Sequence, residues 1–141
     1  MKADPFKNNL GYMLRRASTA SMARLAEQFA TLELRPTEAS VLLVIEANPR
    51  IRQSEVGRML AIRSANMAPL VARLDDRQLI EREPVDGRSH GLRLSPAGET
   101  LVAQIKSEIE AHEKAIHDVI PTGQEEAFTK IAKAIWKTME G

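Results

Sequence analysis

The segment EREPVDGRSHGLRLS, residues 81–95, predicts a β-hairpin in a chain whose apolar residues otherwise recur at helical spacing. Asp86-Gly87 is a strong hairpin signal, because a tight turn needs a positive φ angle that glycine adopts without a Cβ clash. We expect the two strands at residues 80–84 and 91–95. This hairpin would hold Arg88 out into water, and an arginine in that position requires a functional explanation.

Helices are predicted on both sides of the hairpin, because apolar residues recur there every three or four positions. After the hairpin, Ser95 is the expected N-cap of a long helix with Pro96 in its first position, and Pro121 separates it from a final helix. Before the hairpin the sequence predicts a long helix over residues 8–32, a central helix that is apolar on nearly every side between residues 36 and 48, and short helices at residues 52–60 and 66–77.

The two short helices carry specific expectations about their ends and their buried faces. Pro69 would remove a backbone hydrogen bond from a helix interior, so we expect the second short helix to start near Asn66, with Ser64 or Asn66 as its N-cap. Pro69 would then fall in the first turn. The residues expected to face inward are Val56, Met59 and Leu60 in the first short helix, and Met67, Leu70, Val71 and Leu74 in the second.

Length and composition favour one soluble domain. A chain of 141 residues with 43% apolar content can bury one core, and it is short for two independent domains. The absence of cysteine excludes disulfides, thiolate metal sites and nucleophilic thiols, which is typical of a reducing cytoplasm. The N-terminal residues contain no apolar run of signal-peptide length, and no segment of the chain approaches the length of a membrane span, so we expect a cytoplasmic protein without a membrane partner.

The distribution of charge is more informative than the net charge of +1. Residues 50–95 contain nine arginines, no lysine and six acidic residues, whereas residues 96–141 contain five lysines and eight acidic residues. The forked guanidinium group suits the recognition of phosphates and guanine edges. The middle segment is therefore a candidate nucleic-acid surface, although a solvated surface without such a role remains an alternative.

Patterns of catalytic residues do not occur in this sequence. His112 and His117 are five positions apart, about 140° around a helix, and do not converge on a metal as a pair four apart would. Nucleophile-elbow, phosphate-loop and dinucleotide-binding motifs are lacking. We therefore predict no catalytic residue, metal ligand or cofactor, and we expect His112 to be a packed interface residue.

Two short helices followed at once by a hairpin describe a winged helix-turn-helix. In this arrangement the second helix can enter the major groove of DNA, while the hairpin reaches the flanking minor groove. Arg88 at the tip would meet the negative potential of a narrow minor groove, and Asp86 could orient its guanidinium group. A winged helix that binds a protein partner instead of DNA is the alternative.

With this hairpin and the helix before it, the sequence resembles the MarR family of bacterial transcriptional regulators, and the resemblance covers nearly the whole chain. NMAPLVARL and PVDGRSHGLRLS are also similar to the branch that controls aromatic or hydroxycinnamate catabolism. Gln78 departs from the family, since most relatives have a glycine there, and we expect a strained or altered exit from the helix. The positions that match the family are Asp86, Arg88, Leu94, Ser95 and Gly98 around the hairpin, and Leu70, Arg73, Leu74 and Leu79 before it.

The resemblance implies a mainly α fold with a small β-hairpin, in which a winged helix-turn-helix is joined to a helical dimerisation lobe. Within a single domain over residues 1–141, residues 35–96 would read DNA, and residues 6–34 and 97–140 would form the dimer. The surplus apolar stripes of the long helices favour the same homodimer. Such a dimer implies a repressor that binds a pseudo-palindromic operator.

The candidate DNA contacts lie in the second short helix and in the hairpin. Met67 and Pro69 would contact thymine methyl groups. Ser64 and Asn66 have the alternative of serving only as caps, and Arg73 has the alternative of pairing with Asp75 or Asp76. The full candidate set is Arg63, Ser64, Asn66, Met67, Pro69, Arg73, Asp86, Arg88 and Ser89.

The resemblance also implies a small anionic effector, an aromatic acid or an acyl-CoA thioester, bound between the dimer helices and the DNA-reading lobe. An arginine beside an apolar cleft would pair with its carboxylate or phenolate. Arg15 and Arg16 have the alternative of being surface or interface residues. The candidate effector residues are Tyr12, Met13, Arg15 and Arg16 in the first helix, and Ser40, Leu43 and Val44 in the second.

Overall fold

A computed structural model describes residues 1–141 of the protein as six helices and one two-stranded antiparallel hairpin. This confirms the predicted fold class, mainly α with a small hairpin, and the predicted order of the elements. The elements are α1 (Leu10–Ala30), α2 (Pro36–Ala47), α3 (Gln53–Met59), α4 (Ser64–Asp76), β1 (Ile80–Pro84), β2 (His90–Leu94), α5 (Pro96–His117) and α6 (Glu125–Glu140).

Residues 1–108 form one compact unit, and α2 lies at its centre. Val41, Leu42 and Ile45 are almost completely buried, as the nearly continuous apolar sequence of this helix predicts. Glu38 in its first turn is buried too, and its carboxylate accepts a hydrogen bond from the backbone N–H of Arg35 at 2.9 Å. A buried carboxylate beside a helix N-terminus is stabilised by the unpaired N–H groups there.

Residues 109–141 form a second compact unit, which contains the end of α5 and all of α6. His112 is buried, with 6% of its surface exposed. α6 buries none of its residues, although it is strongly amphipathic. Its exposed apolar residues are Phe128, Ile131, Trp136 and Met139.

The hairpin is connected to the body of the first unit through the segment between α2 and α3. The backbone N–H of Arg50 donates to the Leu92 carbonyl at 3.0 Å, and the N–H of Leu92 donates to the Ile51 carbonyl at 2.7 Å. Gly91 permits this approach, because a Cβ at that position would collide with the Arg50 carbonyl oxygen. Ile51 therefore acts as a one-residue third strand beside β2.

The prediction of a tight turn at Asp86-Gly87 is wrong. The strands pair from Ile80 with Leu94 to Pro84 with His90, which leaves a five-residue loop, 85–89, that we call the wing loop. Gly87 does not have a positive φ angle. The loop closes through a backbone bond from Val85 to Ser89 at 3.0 Å and through the Asp86 side chain, so glycine is not needed for the turn.

The expected start of α4 near Asn66 is also wrong. α4 begins at Ser64, so Pro69 is its sixth residue and lies in the helix interior. Arg63, in extended conformation, is the N-cap and forms no side-chain capping bond, so neither Ser64 nor Asn66 is the N-cap. The carbonyl that loses its partner to Pro69 belongs to Ala65, an exposed residue whose carbonyl can be hydrated.

One inward-facing residue was also predicted wrongly. Val56 is fully buried, as expected, but Met59 is 60% exposed at the end of α3 and Leu60 is only half-buried. α3 packs against α4 through a glycine instead, since a Cβ on Gly57 would lie 3.0 Å from Cγ of Met67. Met59 follows Gly57 by two residues, about 200° around the helix, and therefore faces away from α4.

The exit from α4 keeps the backbone shape of a glycine despite the glutamine. Gln78 has a φ of 58°, and its N–H donates to the Asp75 carbonyl at 2.9 Å while the Leu79 N–H donates to Leu74 at 3.0 Å. These two bonds form a Schellman motif, so the exit is strained but not differently shaped.

Ser95 connects that exit to α5 and is the N-cap of α5, as predicted. Its hydroxyl donates to the Gln78 carbonyl at 2.6 Å and accepts from the Gly98 N–H at 3.1 Å. Gly98 is required beside it, because a Cβ there would collide with the Leu79 carbonyl oxygen.

Candidate nucleic-acid interface

α4 presents a face of small side chains to solvent. Its buried face is Met67, Leu70, Val71 and Leu74, as predicted, whereas Ala65, Ala68, Pro69 and Ala72 are exposed. An α-helix with its side chains is about 10–12 Å wide, close to the width of the major groove of B-DNA. Small residues on the outer face allow the backbone of this helix to approach base edges closely.

Most arginines of the middle segment are already paired within the protein. Arg77 donates to the Glu33 carbonyl at 2.8 Å, near the end of α1. Five others form ion pairs with carboxylates: Arg50 with Glu83 at 3.3 Å, Arg52 with Asp86 at 2.9 Å, Arg73 with Glu38 at 3.2 Å, Arg82 with Asp75 at 3.2 Å and Arg93 with Glu81 at 2.9 Å.

Three arginines of this segment remain without any partner in the protein. The guanidinium groups of Arg58, Arg63 and Arg88 form no hydrogen bond or ion pair and are exposed to solvent. An unpaired guanidinium group can bind a phosphate without first breaking an internal contact. We therefore define these three residues as the unpaired arginines of the candidate interface.

Two of the unpaired arginines line an open groove between α3 and the start of α4. Arg58 and Arg63 lie there together with Ser54 and Ser64, and Met67 forms part of the floor. Arg58 was not predicted as a contact. The sequence contains a usable signal for Arg58 in its nearest acidic neighbour, Glu55. This carboxylate belongs to a helix cap, where it accepts a hydrogen bond from the Arg52 backbone N–H at 2.9 Å, so it does not pair with Arg58.

A second groove, between the start of α2 and α4, brings together four of the predicted contacts. Arg63, Asn66, Pro69 and Arg73 line it from the side of α4. Arg35 and Thr37 line it from α2, and neither was predicted. Arg73 bonds to Glu38 of α2, so the expected alternative of pairing with Asp75 or Asp76 on its own helix is wrong.

The predicted base contact of Met67 is wrong. Only 1% of its surface is exposed, so its side chain has no surface to offer a thymine methyl group. Its helical position explains this, because it shares a face with Leu70, Val71 and Leu74. Pro69 remains exposed and available for such a contact.

In the wing loop, Asp86 shapes the backbone and does not orient the Arg88 guanidinium group as predicted. Its Oδ1 accepts the backbone N–H groups of Arg88 at 3.0 Å and Ser89 at 2.9 Å, and its Oδ2 pairs with Arg52. The hydrogen bonds from Arg88 and then Ser89 lower the pKa of Asp86 to about 2. The Arg88 side chain therefore extends from a loop that its own backbone helps to close.

The candidate effector residues lie on two helices that pack against each other, α1 and α2. The Tyr12 hydroxyl accepts a hydrogen bond from Arg16 at 2.9 Å, which raises the pKa of Arg16, and the guanidinium carbon lies 5.7 Å from the centre of the Tyr12 ring. Met13 and Arg15 are exposed. On α2, Ser40 donates to the Pro36 carbonyl at 3.1 Å, and Leu43 and Val44 are half-buried.

None of the six helices combines the length and the apolar composition that crossing a membrane requires.

Comparison with known proteins identifies transcriptional regulators that are similar to this chain. A family model described as the MarR family matches residues 32–89. A proposed transcriptional regulatory protein for the hcr operon of Thauera aromatica is 29% identical over 103 residues, which cover 71% of this chain and 62% of that relative.

Solved structures of the transcriptional repressor CouR match nearly the whole chain. CouR bound to a 23-mer DNA duplex is 29% identical with a TM-score of 0.85, and the match covers 96% of this chain and 97% of CouR. CouR bound to p-coumaroyl-CoA is 28% identical with a TM-score of 0.83, and it covers 96% of each chain.

Proposed function

We propose that this chain is a transcriptional regulator of the MarR family, which binds a pseudo-palindromic operator as a homodimer in the cytoplasm and represses transcription. A small aromatic acid or its coenzyme A thioester releases it. The observation that carries the proposal is the set of unpaired arginines, Arg58, Arg63 and Arg88, in a segment whose other arginines are all paired. Their guanidinium groups can bind phosphates without first breaking an internal contact.

Each part of the proposed interface has a distinct task. α4 enters the major groove, where Ser64, Asn66 and Pro69 face base edges, while Arg58, Arg63 and Arg73 bind phosphates beside it. The wing loop places Arg88 in the flanking minor groove. Asp86 and Ser89 are part of the site because they hold the loop, and not because they contact DNA.

The dimer is supported by apolar surface that the single chain leaves exposed. In α1, Leu10 is 82% exposed, and Met13 and Leu14 are each about half exposed. In α6, Ile131 is 60% exposed and Met139 is 79% exposed. Exposed apolar stripes of this kind are typical of helices that pack against a second copy. We assign residues 35–96 to DNA reading, and residues 6–34 and 97–140 to dimerisation.

The chemical class of the effector is proposed from the residues of α1 and α2 and from the similar repressor CouR. Arg16 and Tyr12 offer a cation and a phenol side by side, and Met13, Leu43 and Val44 offer apolar surface. Arg15 and Ser40 complete the proposed site. CouR has been solved with p-coumaroyl-CoA, which supports a hydroxycinnamate or a related thioester as the effector of this protein.

The test of DNA binding is Arg88→Ala, measured on a duplex selected from random sequences by the wild-type protein. We expect affinity to fall by about 1–3 kcal/mol and the slope of log K against log salt to flatten by about one, because one cation leaves the interface. Arg93→Ala is the matched control, since it removes a cation of the same hairpin that is paired with Glu81. Equal affinities of the wild type and Arg88→Ala at every salt concentration would contradict the role of the wing.

The test of the effector is release of the wild-type protein from the same duplex by aromatic acids and their coenzyme A thioesters. We expect at least one member of the panel to weaken binding, and Arg16→Ala to reduce the response without changing the affinity for DNA. Release by no member would remove the aromatic effector and leave DNA binding in place.

A further inference from the structure

Arg52 joins the helix-turn-helix to the wing loop through one side chain. Its Nε donates to the Ser89 hydroxyl at 3.1 Å, and its Nη2 donates to Oδ2 of Asp86 at 2.9 Å. These partners are 34 and 37 positions away in the sequence. We call the group formed by Arg52, Asp86 and Ser89 the clasp.

The backbone of Arg52 is held in place at the other end of the clasp. Arg52 is the N-cap of α3, in extended conformation, and its N–H donates to Oε2 of Glu55 at 2.9 Å. The preceding residue, Ile51, pairs with Leu92 of β2. The guanidinium group therefore extends from a well-anchored point at the start of the helix-turn-helix.

The other contacts of the wing loop are local or stop short of it. The bond from Val85 to Ser89 and the bonds from Asp86 to the N–H groups of Arg88 and Ser89 close the loop upon itself. Arg50 reaches only the Pro84 carbonyl, at the end of β1, at 3.3 Å. Since the Arg88 side chain has no partner in the protein, the direction in which it extends depends on how the loop is held.

We propose that Arg52 is a positioning residue for DNA recognition, which acts by holding the wing loop so that Arg88 faces the groove. The proposal rests on the proposed function, because it assigns a cause to the placement of a DNA contact. Ordering a free loop on binding costs conformational entropy, and a loop that is ordered beforehand avoids this cost. The alternative is that Arg52 itself binds a phosphate, and the tests below separate these two roles.

The test is a double-mutant cycle of Arg52→Ala and Arg88→Ala, measured with the full chain on the duplex selected by the wild type. We expect Arg52→Ala to weaken binding by about three- to tenfold in the wild-type background, as for the loss of one or two exposed charged hydrogen bonds. In the Arg88→Ala background we expect less than about a twofold further loss, because the residue that Arg52 positions is then absent. A full additional loss in that background would overturn the proposal.

Arg52→Lys separates positioning from direct contact with phosphate. Lysine keeps the charge but lacks the planar fork that reaches Ser89 and Asp86 together. We expect Arg52→Lys to bind like Arg52→Ala, and affinity equal to the wild type would overturn the proposal. Arg93→Ala is the control for loss of a hairpin cation.

A measurement without DNA distinguishes failure of this proposal from failure of the proposed function. Amide ¹⁵N relaxation of residues 86–89 should show faster motion in Arg52→Ala and unchanged motion in Arg93→Ala. Unchanged motion in Arg52→Ala overturns the clasp, whatever the protein binds. If the loop becomes mobile but the wild type selects no duplex, the proposed function fails, and with it the role of the clasp in DNA binding.

Discussion

Arginines of one short segment differ in function because their surroundings differ. Arg73 is paired with the buried carboxylate of Glu38, Arg52 bridges two elements, and Arg88 is unpaired. Exposed ion pairs contribute only about 0–1 kcal/mol to stability. The exposed pairs therefore matter less for stability than for neutralising their own charge. The cations that DNA meets are the three unpaired arginines, with Arg73 beside them.

A residue-scale prediction concerns Gln78, which has the left-handed backbone usual for glycine, with a φ of 58°. A left-handed conformation costs a residue with a Cβ roughly 1–2 kcal/mol, and the extra chain entropy of glycine offsets part of the gain. We expect Gln78→Gly to raise the free energy of unfolding by about 0.5–1 kcal/mol in urea denaturation. As control, Gln104→Gly in the exposed middle of α5 should lower it by about 1 kcal/mol. A loss of stability in Gln78→Gly would contradict the assigned strain.

At the scale of elements, the hairpin is positioned through its strands and through the wing loop. The strands are attached by the backbone bonds between Arg50, Ile51 and Leu92. The loop is closed by Asp86 and held by Arg52. A two-stranded hairpin alone is marginally stable in water, so these attachments give the wing its order.

Two glycines of the hairpin provide a prediction at this scale. A Cβ at Gly91 would collide with the Arg50 carbonyl oxygen, whereas a Cβ at Gly87 would meet open space. We expect Gly91→Ala to lower the free energy of unfolding by about 1–3 kcal/mol, because the strand must move away from residues 50–51. Gly87→Ala should change it by less than about 1 kcal/mol, since Gly87 does not have a positive φ angle. Equal effects of the two substitutions in urea denaturation would refute the close approach.

For the whole molecule, α6 provides the main evidence for assembly. It is strongly amphipathic and yet buries none of its residues. More than half of the surface of Phe128 and of Ile131 is exposed. An apolar stripe of this length in water favours association. In a two-fold dimer, two copies of α4 would read two half-sites, which makes DNA affinity depend on assembly.

We therefore expect Ile131→Asp to raise the dimer dissociation constant by on the order of 100-fold, because an unpaired carboxylate would be buried at the interface. Sedimentation should show monomers at micromolar concentration, and binding to the selected duplex should weaken in parallel. Lys133→Glu is the control, since residue 133 lies about 200° around the helix from residue 131. A stable Ile131→Asp dimer would show that this stripe does not form the interface.

The sequence by itself determined the order of the elements, the buried face of α4, the capping role of Ser95 and the exposed position of Arg88. These features depend on local periodicity, on helix-cap preferences and on a short motif, all of which are encoded within a few residues. The pairing of arginines was decided only by the tertiary structure. Arg52 and Asp86 are 34 positions apart, and Arg73 and Glu38 are 35 apart. With nine arginines and six acidic residues in one segment, many pairings are chemically equivalent, and only packing selects among them. The tertiary structure also decided how completely Met67 is buried. Its place on the buried face of α4 left a DNA contact conceivable until α3 packed against it at Gly57.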